Sequence, residues 1–182
     1  MGSAILCRVR RLAPFLVVIL LVGGLLLVLL SGGSDDEPAP SGSVQNAAPA
    51  RFLDGGREAF EERIASERGQ PVVVNKWASW CGPCRYEFPF FQSQERKRSG
   101  DVVFLGVNSN DNRGDAEDFL AEYPVDFPHF EDPQLEVAAS FNAVQAFPAT
   151  AFYDSKGELA YVHQGGYPDE KKLAADIDRY AR

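Results

Sequence analysis

Methionine occurs once in this 182-residue chain, as the initiator, histidine twice and cysteine three times. Each scarcity excludes something. A closed structural zinc site takes four ligands, commonly as two spaced pairs. Here Cys81 and Cys84 make one pair, and the two histidines, His129 and His163, stand alone and 34 positions apart. Zinc is therefore excluded, and both histidines read as surface or internally satisfied residues. A Cu(I) centre would want a thioether or imidazole beside the thiolates, and Met1 is the only thioether. Bases are also short, 18 against 26 acids, for a net charge of −8. Nucleic acid demands a cationic face, so none is expected as a partner. No internal repeat is present. Hydrophobic residues, 45% with 13 Phe, suffice for one core.

Charge is missing altogether from one stretch. "LAPFLVVILLVGGLLLVLL", Leu12–Leu30, runs 19 residues without a charged side chain. As a helix it would span roughly 28 Å, close to the hydrocarbon thickness of a bilayer. "RVRR" precedes it and "SGGSDDEP" follows; the cationic flank stays on the cytoplasmic side. A cleaved signal peptide is the competing reading, but the run exceeds the usual h-region of about 7–15 residues and no A-x-A site follows closely. The expected organisation is a cytoplasmic N-terminus over 1–11, a signal-anchor helix over 12–30, a flexible Pro/Gly/Ser-rich linker over 31–50 and a globular domain over 51–182. Removing the three arginines of residues 1–30, where no acid occurs, leaves 15 bases against 26 acids, or −11, on residues 31–182. Cys7 falls on the opposite side of the predicted membrane from the cysteine pair.

Beyond residue 50, apolar periodicity predicts alternating elements. "GREAFEERIASERG" places Phe60 and Ile64 at i, i+4, as in an amphipathic helix. "PVVVNKW" and "DVVFLGVN" are short β-branched runs of the kind found in buried strands. "GDAEDFLAEY" and "QLEVAASFN" read as helices, and "DFPHFEDP" as extended. "ATAFYD" and "LAYVHQ" flank a turn "SKGE", and "PDEKKLAADIDRYAR" closes the chain as a helix. The pattern is α/β, with a mixed sheet of four or five strands flanked by helices.

The pair itself lies in "WASWCGPCRYEFP", Trp77–Pro89. As a staple it is poorly placed: so short a loop constrains the unfolded chain by only about 2 kcal/mol, against nearly 5 for a 100-residue loop. Redox work remains, which needs a bridge that opens and closes readily and one exposed sulfur. A strand ending near Trp77 feeds a helix beginning near Cys81, and a helix N-terminus stabilises a thiolate. Cys81 is thus the expected nucleophile, and Cys84, one turn further in and more buried, the resolving sulfur. Gly82 and Pro83 suit a first helical turn.

W-x-x-W-C-G-P-C resembles the thioredoxin-type active site. The extension "CRYEFP" and the preceding Asn75 are similar to the membrane-anchored branch of TlpA-like and ResA-like thiol–disulfide oxidoreductases, some of which serve cytochrome c maturation. The likeness runs from Phe52 to the C-terminus. It implies a thioredoxin-like fold carrying the TlpA-type strand–helix insertion "GVNSNDNRGDAEDFLAEYPVDFPHFEDPQLEVAASFNAV". It also implies a redox-active Cys81–Cys84 disulfide, protein disulfide or thiol partners, a membrane electron donor, a monomer, and neither cofactor nor metal. Peroxiredoxins share the insertion but would need Thr where Ala78 stands.

By the same resemblance Glu87 is the active-site acid that handles protons for the buried sulfur, and Asn75 replaces the buried acid of ordinary thioredoxin. "AFPAT" resembles the family's cis-proline loop, which faces the cysteines and pairs with substrate backbone, so Pro148 is expected cis and substrate-binding. Phe147 departs from the small or β-branched residue usual there, and Gln145–Ala146 replaces the common Gly. Lys76 departs from a common aromatic and is expected to snorkel to solvent, the alternative being electrostatic support of a thiolate. Trp77 reads as core, Pro89 as a packing bend, and Trp80 as a surface contact that joins Phe147 and Pro148 in binding substrate. The Gly-Pro dipeptide matches thioredoxin, whose potential lies near −270 mV against about −120 mV for a strong oxidant. The expectation is an extracytoplasmic protein disulfide reductase. The alternative is a Cu(I)-binding metallochaperone or redox-linked binding module.

Overall fold

The computed structural model describes residues 51–182. The anchor, linker and N-terminal readings lie outside the described residues, and among those described no helix is long and apolar enough to cross a membrane. Six strands form one sheet: β1 (Phe52–Leu53), β2 (Val72–Trp77), β3 (Val103–Ser109), β4 (His129–Asp132), β5 (Ala149–Tyr153) and β6 (Leu159–Gln164). Their order is β1-β4-β3-β2-β5-β6. The β1, β4, β3 and β2 neighbours run parallel, while β5 and β6 are antiparallel. The helices are α1 (Gly56–Ser66), α2 (Gly82–Lys97), α3 (Arg113–Glu122), α4 (Glu136–Ser140) and α5 (Glu170–Tyr180). The sheet exceeds the four or five strands expected, because β1 is too short for a hydrophobic period to mark it.

Every residue of β2 is buried, as its opening run of three valines suits in a strand covered on both faces, and the polar Asn75 and Lys76 are buried with them. Successive side chains point to opposite faces. Val72 and Val74 join Leu105, Val107 and Phe130 beneath α1 and α4, which contribute Phe60, Ile64 and Val137. Val73 joins Phe104 and Phe152 beneath α2 and α5, which contribute Phe91, Leu173 and Ile177. Each fully buried valine or phenylalanine contributes about 1.5–3 kcal/mol. A third cluster, at the end of β2, sets Trp77 and Ala78 against Phe88 of α2 and Ala116, Phe119 and Leu120 of α3. That end of β2 leads into the cysteine loop.

Side-chain caps fix where the helices start. Asn112 accepts from the Asp115 N–H at α3, and Asp169 from the Lys172 N–H at α5. The closing helix therefore begins after the Pro168–Asp169 pair. Buried Asp132 accepts from the Val137 and Ala138 N–H groups and the Ser109 hydroxyl, tying α4 to β3 and β4. Pro89 lies inside α2, which continues to Lys97. In the β5–β6 turn Gly157 has φ +80, a left-handed conformation that glycine adopts without strain.

Candidate active site

Cys81 is the N-cap of α2, extended at φ −85 and ψ 105, with Gly82 and Pro83 in the first turn. Its Sγ accepts from the Cys84 N–H at 3.2 Å, so the sulfur sits at the positive end of the helix dipole. Cys81 and Cys84 are joined by a disulfide, their Cα atoms 5.3 Å apart. Cys84 is fully buried, as expected. Cys81 is only 3% exposed, less open than expected, because it packs in the third cluster with Trp77, Ala78 and Phe88, and Phe147 lies against that cluster.

Three further parts converge behind the bridge. A Cβ added at Gly166 would stand 3.5 Å from Pro83, 3.6 Å from Pro148 and 3.8 Å from Glu87 Oε2. The cysteine loop, the proline loop and the acid thus meet around one glycine. The Phe147–Pro148 peptide is cis, and the Pro148 carbonyl accepts from the Gly165 N–H at 2.9 Å. Glu87 is wholly buried. Its Oε1 accepts from Asn75 Nδ2 at 2.8 Å and its Oε2 from the Tyr167 N–H at 3.0 Å. Burial pushes its pKa up from 4.5 to about 7, overcoming both donors. A carboxyl in that range can both take and give a proton near neutrality.

On the opposite face of β2 the structure overturns an expectation. Lys76 does not reach solvent: it is fully buried. Its Nζ donates to the carbonyls of Ala143 at 2.8 Å, Val144 at 3.2 Å and Ala146 at 2.8 Å. The loop that follows α4 covers the end of β2 on this face, so no path to water is left for the side chain. Nζ also lies 3.4 Å from the centre of the Phe147 ring, and Phe147 in turn packs on Trp80 at 4.7 Å. Trp80 is exposed and Trp77 buried.

Asp111 is a site residue that sequence reasoning missed. Its carboxylate accepts from the Ser79 N–H and hydroxyl at 2.6 and 2.8 Å and from Asn108 Nδ2 at 2.8 Å. Arg85 Nη2 donates to the Ser79 carbonyl at 2.7 Å, and the Trp80 indole N–H to the Asn110 carbonyl at 2.9 Å. These bonds pin the turn that presents Cys81. An acid in the loop after a buried strand was the available signal. His129 is buried and accepts from the Trp77 indole N–H at 3.1 Å; burial pushes its pKa down to about 3, so it stays neutral. It is satisfied rather than catalytic. His163 stacks on Tyr167 at 4.2 Å, and its Nε2 has no partner among the described residues. Among the described residues no group of three or more His, Cys, Asp or Glu side chains could hold a metal ion.

The Redoxin family model matches residues 40–177. This chain belongs to the Redoxin family. This redoxin is 31% identical to the thiol-disulfide oxidoreductase ResA of Geobacillus kaustophilus over 125 residues, 68% of each chain. It is 33% identical to the sporulation thiol-disulfide oxidoreductase A of Bacillus subtilis over 119 residues, 63% of this chain and 71% of the other. Among solved structures, a DsbF homologue from Corynebacterium diphtheriae superposes with a TM-score of 0.58 at 26% identity, covering 64% of this chain and 75% of that one. The fold is thioredoxin-like, and the protein is a ResA-like thiol–disulfide oxidoreductase.

Proposed function

We propose that this redoxin is a membrane-tethered, extracytoplasmic protein disulfide reductase working through Cys81 and Cys84. The observation that carries the reading is a disulfide at a helix N-terminus with a buried carboxyl, its pKa raised to about 7, one turn further along the same helix. In the reduced enzyme the Cys81 thiolate attacks one sulfur of a client disulfide. A mixed disulfide forms and the other client sulfur leaves as a thiolate. Cys84 then gives its proton to Glu87 and attacks the Cys81 sulfur, which expels the second client thiolate. Two electrons pass to the client, whose thiolates take up two protons, and the enzyme is left with the Cys81–Cys84 bridge. A membrane donor restores the dithiol. The cis-proline loop at Pro148 lies beside this route and pairs with client backbone, and Trp80 and Phe147 flank it. The apolar, positively flanked run at Leu12–Leu30 supports the tether and the outward-facing domain. The family resemblance supports apocytochrome thiols as one client class.

Cys84→Ser removes the resolving step. Incubated with extracytoplasmic protein, this variant should accumulate a reductant-sensitive adduct on Cys81, and Cys81→Ser should not. Equilibration of the unmodified protein with glutathione should give a potential near −270 mV, and a value above about −150 mV would reverse the direction assigned. If neither variant nor parent exchanges with any disulfide, the reading fails.

A further inference from the structure

Resting on that reading, we propose that Lys76 is a positioning residue for client recognition. It ties the Phe141–Phe147 loop to β2, holds Phe147 against Trp80, and so builds the apolar wall beside the cysteines on which a client segment lies. The client class this wall fits is a disulfide whose cysteine has a bulky apolar neighbour.

An ammonium has three donors and no acceptor. All three of Lys76 are matched by carbonyls of one loop, those of Ala143, Val144 and Ala146, and the residue makes no ion pair among the described residues. That loop runs directly into Phe147 and cis-Pro148. The same nitrogen, 3.4 Å above the Phe147 ring, holds one ring face by cation–π attraction. The ring's contact with Trp80, centroids 4.7 Å apart, completes the wall. Trp80 is 54% exposed, and its one N–H is already given to the Asn110 carbonyl. What it offers a client is therefore apolar ring surface.

No other element supplies Lys76 with a counter-charge at contact. Its register neighbours are Val107 on β3 and Ala149 on β5, and the loop from Phe141 to Phe147 has no titratable side chain. Asp132, at the end of β4, favours the ammonium from a distance, but burial prevails and draws the pKa down from 10.5 to about 8. Above that pH the side chain loses a donor and its hold on Phe147.

The test uses the full chain, pre-reduced and mixed with excess disulfide, with oxidation followed by tryptophan fluorescence. One substrate is a peptide disulfide with Phe beside each Cys; the other is 2-hydroxyethyl disulfide, too small to span the wall. In Lys76→Met the half-saturating peptide concentration should rise at least tenfold with the limiting rate within twofold, and the small disulfide should react at the parent's rate. In the unmodified chain the ratio of the two second-order constants, which cancels titration of the cysteines and Glu87, should fall as pH passes 8. An equal loss on both substrates, or an unchanged peptide constant, overturns the proposal. Should Lys76→Met fail to fold, a pH-independent ratio in the unmodified chain overturns it just as well. If the unmodified chain oxidises neither its cysteines with the peptide nor with the small disulfide, the exchange reading itself falls, and this proposal with it.

Discussion

Glu87→Gln measures directly how strongly the fold resists a buried carboxylate. The side chain's pKa rises from 4.5 to about 7, and at about 1.4 kcal/mol per pH unit this interval is worth about 3 kcal/mol. Between those values the folded protein holds a proton that the unfolded chain has released. The unfolded state therefore binds fewer protons, and stability falls as pH rises from 4.5 to 7, then levels off. Gln carries no such penalty. It also fits: one oxygen can keep the Tyr167 N–H, and its amide can donate to Asn75 Oδ1, which has no partner among the described residues, once the Asn75 amide turns over. Urea denaturation of the oxidised protein, in which neither Cys81 nor Cys84 titrates, isolates the effect. The advantage of Gln over Glu should grow by about 3 kcal/mol between pH 4.5 and pH 8. A difference that stays constant across this range would refute the burial argument, and with it the raised pKa of Glu87.

Two further outcomes follow from particular contacts. Gly106→Ala would put a Cβ 1.8 Å from His129 Nδ1, displacing the ring that accepts from Trp77. A loss of about 3 kcal/mol or more is expected, read as a lowered midpoint in calorimetry together with a shifted Trp77 emission. Asp111→Ala strips four donors of their acceptor, the Asn112 N–H among them. It should cost about 2 kcal/mol and slow peptide-disulfide exchange about tenfold, and an unchanged rate would show that the Ser79–Trp80 turn holds without it.

Much of this architecture can be read in the chain. The valine run of β2 and the spacing of Phe60 and Ile64 announce a buried strand and an amphipathic helix, and both stand there. The cysteine spacing and the strand-to-helix junction place Cys81 and Cys84 at a helix start, where the bridge is found, since a helix end is local and survives without tertiary knowledge. Glu87 is different. One of its two hydrogen-bond donors is the Tyr167 N–H, eighty positions away, so only family resemblance points to it. Lys76 misleads for the same reason. A lysine at a strand end ordinarily finds water, and what denies it water is a loop 67–70 positions downstream. β1 escapes notice because two residues hold no period, and its place is set by pairing with β4.

Adjacent positions of β2 serve opposite sides of the sheet: Asn75 touches Glu87, Lys76 the loop that leads to Phe147. Chain neighbours are thereby mechanically insulated from one another, with the width of the sheet between their side chains. On the reading proposed above, a designer would retune the buried acid at one position and client preference at the next. By the same geometry, a single-residue insertion upstream in this strand would exchange the two roles and disable both at once.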